Sequence, residues 1–185
     1  MDFANTLYAP HGELEDQLRA WPDLLKWLRE ANLGEGTALE VSKAEAGAAL
    51  EAVLALRAAW MKQIMAMLAG KAVSKEFLRT LNADLEKDQF SEAVAADGEP
   101  PFALVRSDSK LRGIDLVLAI LARQIAGFLT ECNHDYLRQC AGPGCVLYFY
   151  DTTKNHRRQW CSAAACGNRH KVAAFRERQA KRKEG

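Results

Sequence analysis

Apolar positions recur at helical spacing through most of the first 130 residues. Pro22 suits the first position of a helix, with Asp23 in its first turn. Leu24, Leu25, Trp27 and Leu28 form the apolar face, and an end is expected near Asn32 to Gly34. Ser42 with Glu45 reads as a capping box that opens a long helix to about Ala69, with Gly70 as its stop. Leu50, Val53, Leu54, Leu56, Trp60, Ile64, Met67 and Leu68 give it a broad buried face, interrupted by Arg57. Ser74 caps a third helix with Phe77, Leu78, Leu81 and Leu85 as its stripe. The period then shortens. Phe90 to Ala95 and Phe102 to Arg106, around Asp97-Gly98-Glu99-Pro100-Pro101, predict a β-hairpin. Leu111 to Thr130, apolar on several sides, predicts a central fourth helix.

Beyond residue 137 the pattern changes again. Cys140 and Cys145 enclose four residues, Cys161 and Cys166 enclose four more, and fifteen separate the pairs. Gly142, Pro143 and Gly144 suit a tight turn inside the first pair. Val146 to Tyr150 has high strand propensity, and Arg157 to Trp160 is the expected returning strand. Asn168 to Lys183 predicts a helix, capped by Asn168 or Ser162, with Val172, Phe175 and Gln179 as a narrow packing seam. The fold class is therefore mainly α. A helical domain with a small hairpin is expected over residues 1–135, and a four-cysteine module of β-hairpin and basic helix over 136–185.

Composition sharpens the division. The net charge of +1 splits into −7 over residues 1–137 and +8 over 138–185, where 11 Lys/Arg face 3 Asp/Glu. An acidic body with a basic end points to a polyanion contact at that end, although a solvated helix would carry the same charges. The opening residues lack a basic segment and a long apolar core, and no run of 18 uncharged apolar residues exists. A cytoplasmic protein without a membrane span is the expectation. In that compartment paired cysteines favour metal over disulfide. Four thiolates make a closed tetrahedral zinc site with no position for water or substrate. One structural Zn²⁺ is thus expected on Cys140, Cys145, Cys161 and Cys166. Cys132 lies outside the pattern and reads as a small buried apolar residue.

Cys166-Gly167-Asn168-Arg169, with Trp160-Cys161 and the aromatic-Asp-Thr run at Tyr148 to Thr152, resembles the CGNR zinc finger. The opening Asp2-Phe3-Ala4-Asn5-Thr6 is similar to the start of its companion domain, ABATE. Together the resemblance covers nearly the whole chain. It implies zinc binding and a bacterial regulator of transcription, hence DNA as a partner.

The residues offer means for such contact. Arg169, Arg176 and Lys183 form one stripe of the last helix; Lys171, Arg178 and Arg182 form another; Arg157 and Arg158 stand nearby. Such cations would neutralise phosphates. Asn168 and Arg169 have base-reading chemistry, but Asn168 could equally bond local backbone and Arg169 an acidic group. RNA binding and a protein-interaction adaptor are the alternatives. In the body, Asp2 is a candidate partner for the buried Arg57, and Asp2, Asn5 and Arg57 could line a pocket for a small-molecule effector or simply fix the N-terminal segment. Trp21, Trp27 and Trp60 would serve equally as core residues of a monomer or as interface anchors of a homodimer. No Ser-His-Asp set, phosphate loop or open metal site is present, so catalysis is not expected.

Overall fold

The computed structural model describes residues 1–9, 13–88, 92–95, 103–106 and 109–184. The chain forms two compact units that interleave in sequence. One comprises Met1–Arg19, Arg57–Ala72 and Glu131–Gly185; the other comprises Ala20–Leu56 and Val73–Thr130. Packing therefore groups the first nineteen residues with the cysteine region, whatever the linear boundary between sequence domains.

The second unit is helical. Helix α1 spans Trp21–Glu30, starting where Asp23 Oδ2 accepts the Ala20 N–H at 2.9 Å. It buries Trp21, Leu24 and Leu28. Helix α2, Ala46–Leu68, follows the expected capping box: the Ser42 N–H donates to Glu45 Oε2 at 3.1 Å and the Glu45 N–H to Ser42 Oγ at 3.3 Å. Its first half belongs here and buries Leu50, Val53 and Leu56; its second half lies in the other unit. Helix α3, Lys75–Lys87, is capped by Ser74 Oγ on the Phe77 N–H at 3.2 Å. It buries Phe77 and Leu81 but leaves Leu78 exposed. Strands β3 (Glu92–Ala95) and β4 (Ala103–Arg106) pair antiparallel, with Glu92 opposite Arg106. This is the expected hairpin; its turn, residues 96–102, and Phe90 lie outside the described residues.

Helix α4, Gly113–Glu131, has the length and apolar composition to cross a membrane. About a third of it is buried in this chain. Val117, Ala119, Leu121, Ala122 and Ile125 are buried. Two of its three charges are paired within this unit, Asp115 with Lys87 at 3.0 Å and Arg123 with Asp88 at 2.6 Å.

The other unit begins with a 3₁₀ turn, Ala4–Thr6, and a short antiparallel pair, β1 (Leu7–Tyr8) with β2 (Glu15–Asp16). Phe3, Ala4 and Leu18 are buried, as are Trp60 and Ile64 on the second half of α2. Strands β5 (Leu137–Gln139) and β6 (Tyr148–Tyr150) form a hairpin in which Arg138 faces Phe149. Helix α5, Asn168–Glu184, closes the chain. Cys132 is half-buried.

Arg57 corrects one expectation. Its guanidinium grips Asp16 with both terminal nitrogens, one bond measuring 2.7 Å, and donates to Thr6 Oγ1 at 2.9 Å. Asp2 is exposed and is not the partner. The pairing of β2 with β1 sets Asp16 beside Arg57, and a bidentate carboxylate satisfies a buried guanidinium better than a terminal residue can. Burial pulls the Asp16 carboxyl pKa up, but the Arg57 hydrogen bonds outweigh it and hold it below the usual value.

Candidate metal centre

The first cysteine pair occupies the β5–β6 connection. The Cys140 N–H donates to Leu147 O at 2.9 Å, and the Cys145 N–H to Gly142 O at 3.0 Å, which folds residues 140–145 into a tight turn. Gly144 takes φ +71°, open to glycine at little cost. Gly142 lies against the sulfurs: a Cβ there would stand 3.2 Å from Cys166 Sγ and 3.5 Å from Cys140 Sγ.

The chain between the pairs does not return as the expected second strand. Asp151 is fully buried, and its carboxylate accepts the Thr153 N–H at 3.0 Å, the Thr153 hydroxyl at 2.6 Å and the Arg158 N–H at 2.8 Å. These bonds wind residues 151–158 into a loop and take the amide that a ladder would use. They also hold the Asp151 pKa below its ordinary value against the opposing effect of desolvation. The His156 ring stacks on Tyr136 at 3.6 Å. Strand β6 pairs with β5 instead.

The second pair follows. The Ala141 N–H donates to Gln159 O at 2.9 Å and the Cys161 N–H to Cys140 Sγ at 3.3 Å, bringing the two cysteine turns together. Ser162 Oγ accepts the Ala165 N–H at 3.2 Å and starts a π-helical turn, Ala163–Gly167, that delivers Cys166 and leads into α5. Gly167 lies against the Trp160 ring rather than a sulfur.

All four Sγ atoms lie within 4.8 Å of one another. Cys145 and Cys161 sulfurs are 3.9 Å apart, Cys161 and Cys166 sulfurs 3.6 Å. A tetrahedron with 2.3 Å zinc–sulfur bonds has edges of about 3.8 Å. The cysteines are not disulfide-bonded. Cys140 and Cys166 are buried with Phe149, and Trp160 packs against them. Burial opposes ionisation, yet the N–H groups of Cys161 and Gly142 leave the Cys140 pKa lowered. Cys145 and Cys161 are pushed up by burial and by neighbouring sulfurs. A divalent cation among them removes that penalty. The donor set, spacing and electrostatics fit one structural Zn²⁺ held by Cys140, Cys145, Cys161 and Cys166.

The site defines a four-thiolate zinc module. A CGNR zinc finger model matches residues 136–179, and the ABATE model, described as "Putative stress-induced transcription regulator", matches residues 1–131. The chain belongs to the ABATE family and carries a CGNR zinc finger after its ABATE region. Among curated proteins, no sequence matches it significantly.

The other expected site residues separate into three groups. Arg157, Asn168, Lys171, Arg176 and Arg178 are exposed. Arg182 lies on α5, but its side chain is outside the described residues, as is that of Lys183. Arg158 and Arg169 turn toward the metal centre. Arg158 Nε donates to Trp160 O at 2.8 Å, Nη2 donates to Cys161 O, and the guanidinium lies 4.6 Å from the Phe149 ring centroid. Arg169 Nη2 donates to Cys166 Sγ at 3.1 Å, which raises the Arg169 pKa further.

The expected seam on α5 is not buried. Val172 is 40% exposed and Phe175 55%. Two apolar side chains on a helix this basic bury too little area to hold it against a hairpin.

Asn5 has a partner that the sequence did not suggest. Its side-chain amide donates to Tyr148 O at 2.8 Å, and its Oδ1 accepts the Tyr148 N–H at 3.0 Å. The amide closes the free edge of β6, the side not paired with β5. The N-terminal motif is thus bonded directly to the zinc hairpin. Asp16 went unnoticed in the sequence; Thr6 and Tyr148 stood there only as motif residues without these partners, and Asp151 only as the start of a turn. Only Asp151 had a local signal, a short acidic residue followed by two threonines, typical of side-chain-stabilised turns.

Proposed function

We propose that this protein is a DNA-binding regulator of transcription in which zinc fixes the cysteine turns and α5 presents cations to phosphates. One observation carries the reading: Lys171, Arg176 and Arg178 on α5, and Arg157, are exposed, and the apolar Val172 and Phe175 of the same helix are exposed beside them. An α-helix fits the major groove, and Asn168, exposed at the start of α5, has the side chain to bond an adenine edge. The family description supports the same role. The metal is structural in this reading, because four protein thiolates fill its tetrahedron, and the protein is not an enzyme.

The effector half of the reading moves away from Asp2, Asn5 and Arg57, since Asn5 and Arg57 are engaged internally. A cleft of about 610 Å³ in the helical unit, lined by Glu40, Val41, Ala49, Arg112 and Ile114 among others, supports small-molecule binding there instead.

The test is titration of mixed-sequence duplex DNA with the zinc-loaded chain at two salt concentrations. Binding that weakens with salt and is lost in the Arg176→Glu, Arg178→Glu double variant is expected. Undetectable affinity at low salt, or binding indifferent to the charge reversal, would refute the proposal.

A further inference from the structure

A zinc ion bound by four thiolates leaves a net charge of −2 on the cluster, in surroundings of which Phe149, Cys140 and Cys166 are buried. Hydrogen bonds to the sulfurs relieve that charge and reduce their basicity. The backbone serves Cys140, through the N–H groups of Cys161 at 3.3 Å and Gly142 at 3.5 Å. At Cys166 the donor is a cationic side chain, Arg169 Nη2 at 3.1 Å. Local structure explains the reach. Residue 169 lies in the first turn of α5, three residues after Cys166, and helical side chains lean toward the N-terminus of their helix. Arg158 is engaged otherwise, binding the carbonyls of Trp160 and Cys161.

We propose that Arg169 is a positioning residue of the zinc centre: its guanidinium donates to the Cys166 thiolate, offsets part of the cluster's negative charge and slows release of the metal. The role separates it from Arg176 and Arg178 on the same helix, which are exposed and remain available to a polyanion. A charge-assisted bond to sulfur asks for both the donor and the positive charge, so lysine should replace arginine partly and glutamine less well.

The experiment compares the full-length zinc-loaded chain with its Arg169→Lys, Arg169→Gln and Arg169→Ala variants. Zinc transfer to a chromogenic chelator is timed at fixed pH, and the sulfur-to-metal charge-transfer band is recorded after Co²⁺ substitution. Release from Arg169→Ala should be on the order of 10-fold faster, as for other outer-shell substitutions. Arg169→Gln should approach it and Arg169→Lys should lie nearer wild type. The charge-transfer band should move to lower energy as the thiolate loses its donor, which a purely structural role would not require. Lys154→Ala, removing an exposed cation of the same unit, should leave both readouts unchanged. If Arg169→Ala does not hold metal at all, the ordering of Gln above Lys in release rate decides. Equal rates and unmoved bands across the series, or an equal effect from Lys154→Ala, would overturn the proposal.

Discussion

Replacing Asn5 by alanine should destabilise the zinc-bearing unit although residue 5 lies 143 positions from its partner in sequence. The change removes two hydrogen bonds, of 2.8 and 3.0 Å, and strands the N–H and C=O of Tyr148, a residue that is buried. A buried polar group left without a partner costs about 1–3 kcal/mol. Asn5 is only half-buried, so water entering its place would recover part of the loss. A net effect of about 2–3 kcal/mol follows, a sizeable fraction of a typical folding free energy. For a chain of this size it corresponds to about 4–12 °C in Tm. Urea unfolding of the zinc-loaded protein, followed by tryptophan fluorescence, measures it. Asn5→Asp is the sharper control. It keeps the acceptor for the Tyr148 N–H but sets a carboxylate oxygen against the Tyr148 carbonyl. At neutral pH it should be worse than alanine, and the difference should shrink as acid protonates the new carboxyl and restores a donor. A loss below about 0.5 kcal/mol for Asn5→Ala, the ordinary range for a surface change, would refute the reasoning. So would identical stability of the two variants.

Three further outcomes follow from the same contacts. Arg57→Leu should cost about 2–4 kcal/mol, less than a fully buried pair because the Asp16 side chain keeps 30% of its exposure. Because the folded-state pKa of Asp16 is depressed, the stability from this pair is present above the ordinary carboxylate pKa and disappears as pH falls through the folded value. Acid titration of stability should therefore be flatter in Asp16→Asn. Gly142→Ala should weaken zinc retention, since the added methyl would meet Cys166 Sγ at 3.2 Å, and chelator competition reads this directly. Cys161→Ser should lose stoichiometric zinc by metal analysis and lose the structure of the module in its amide NMR spectrum.

The features legible in the sequence are those fixed by neighbours along the chain. Ser42 with Glu45, and Ser74, mark helix starts through bonds spanning three residues, and both appear as read, while Pro22 falls at the second rather than the first position of α1. The paired cysteines announce the metal because zinc imposes its own geometry on any chain that supplies four thiolates. What failed depended on distant or competing bonds. Strand β6 had a plausible partner in Arg157 to Trp160, but the Asp151 carboxylate captured the Arg158 amide and bent that segment away. Arg57 plainly needed an anion; choosing Asp16 over Asp2 required knowing that β1 and β2 pair. Val172 and Phe175 have helical spacing, yet periodicity says which residues share a face and not whether anything covers it. The resemblance at Cys166 to Arg169 named the family correctly. Stripe position and base-reading chemistry assigned Arg169 to nucleic acid, while in the structure its guanidinium bonds the sulfur three residues before it.

The salt dependence of DNA binding, measured residue by residue, tests the functional reading most directly. Plotting log Kobs against log salt for B-DNA gives a slope of about −0.9 per phosphate neutralised. If Arg157, Lys171, Arg176 and Arg178 each contact a phosphate, the slope for the full chain should be about −3.6 or steeper, and each alanine substitution should reduce its magnitude by about 1. Arg158→Ala, with zinc still bound, should leave the slope unchanged, because its guanidinium is occupied by the carbonyls of Trp160 and Cys161. A slope near zero, or one that responds to Arg158 and not to the exposed cations of α5, would contradict the account.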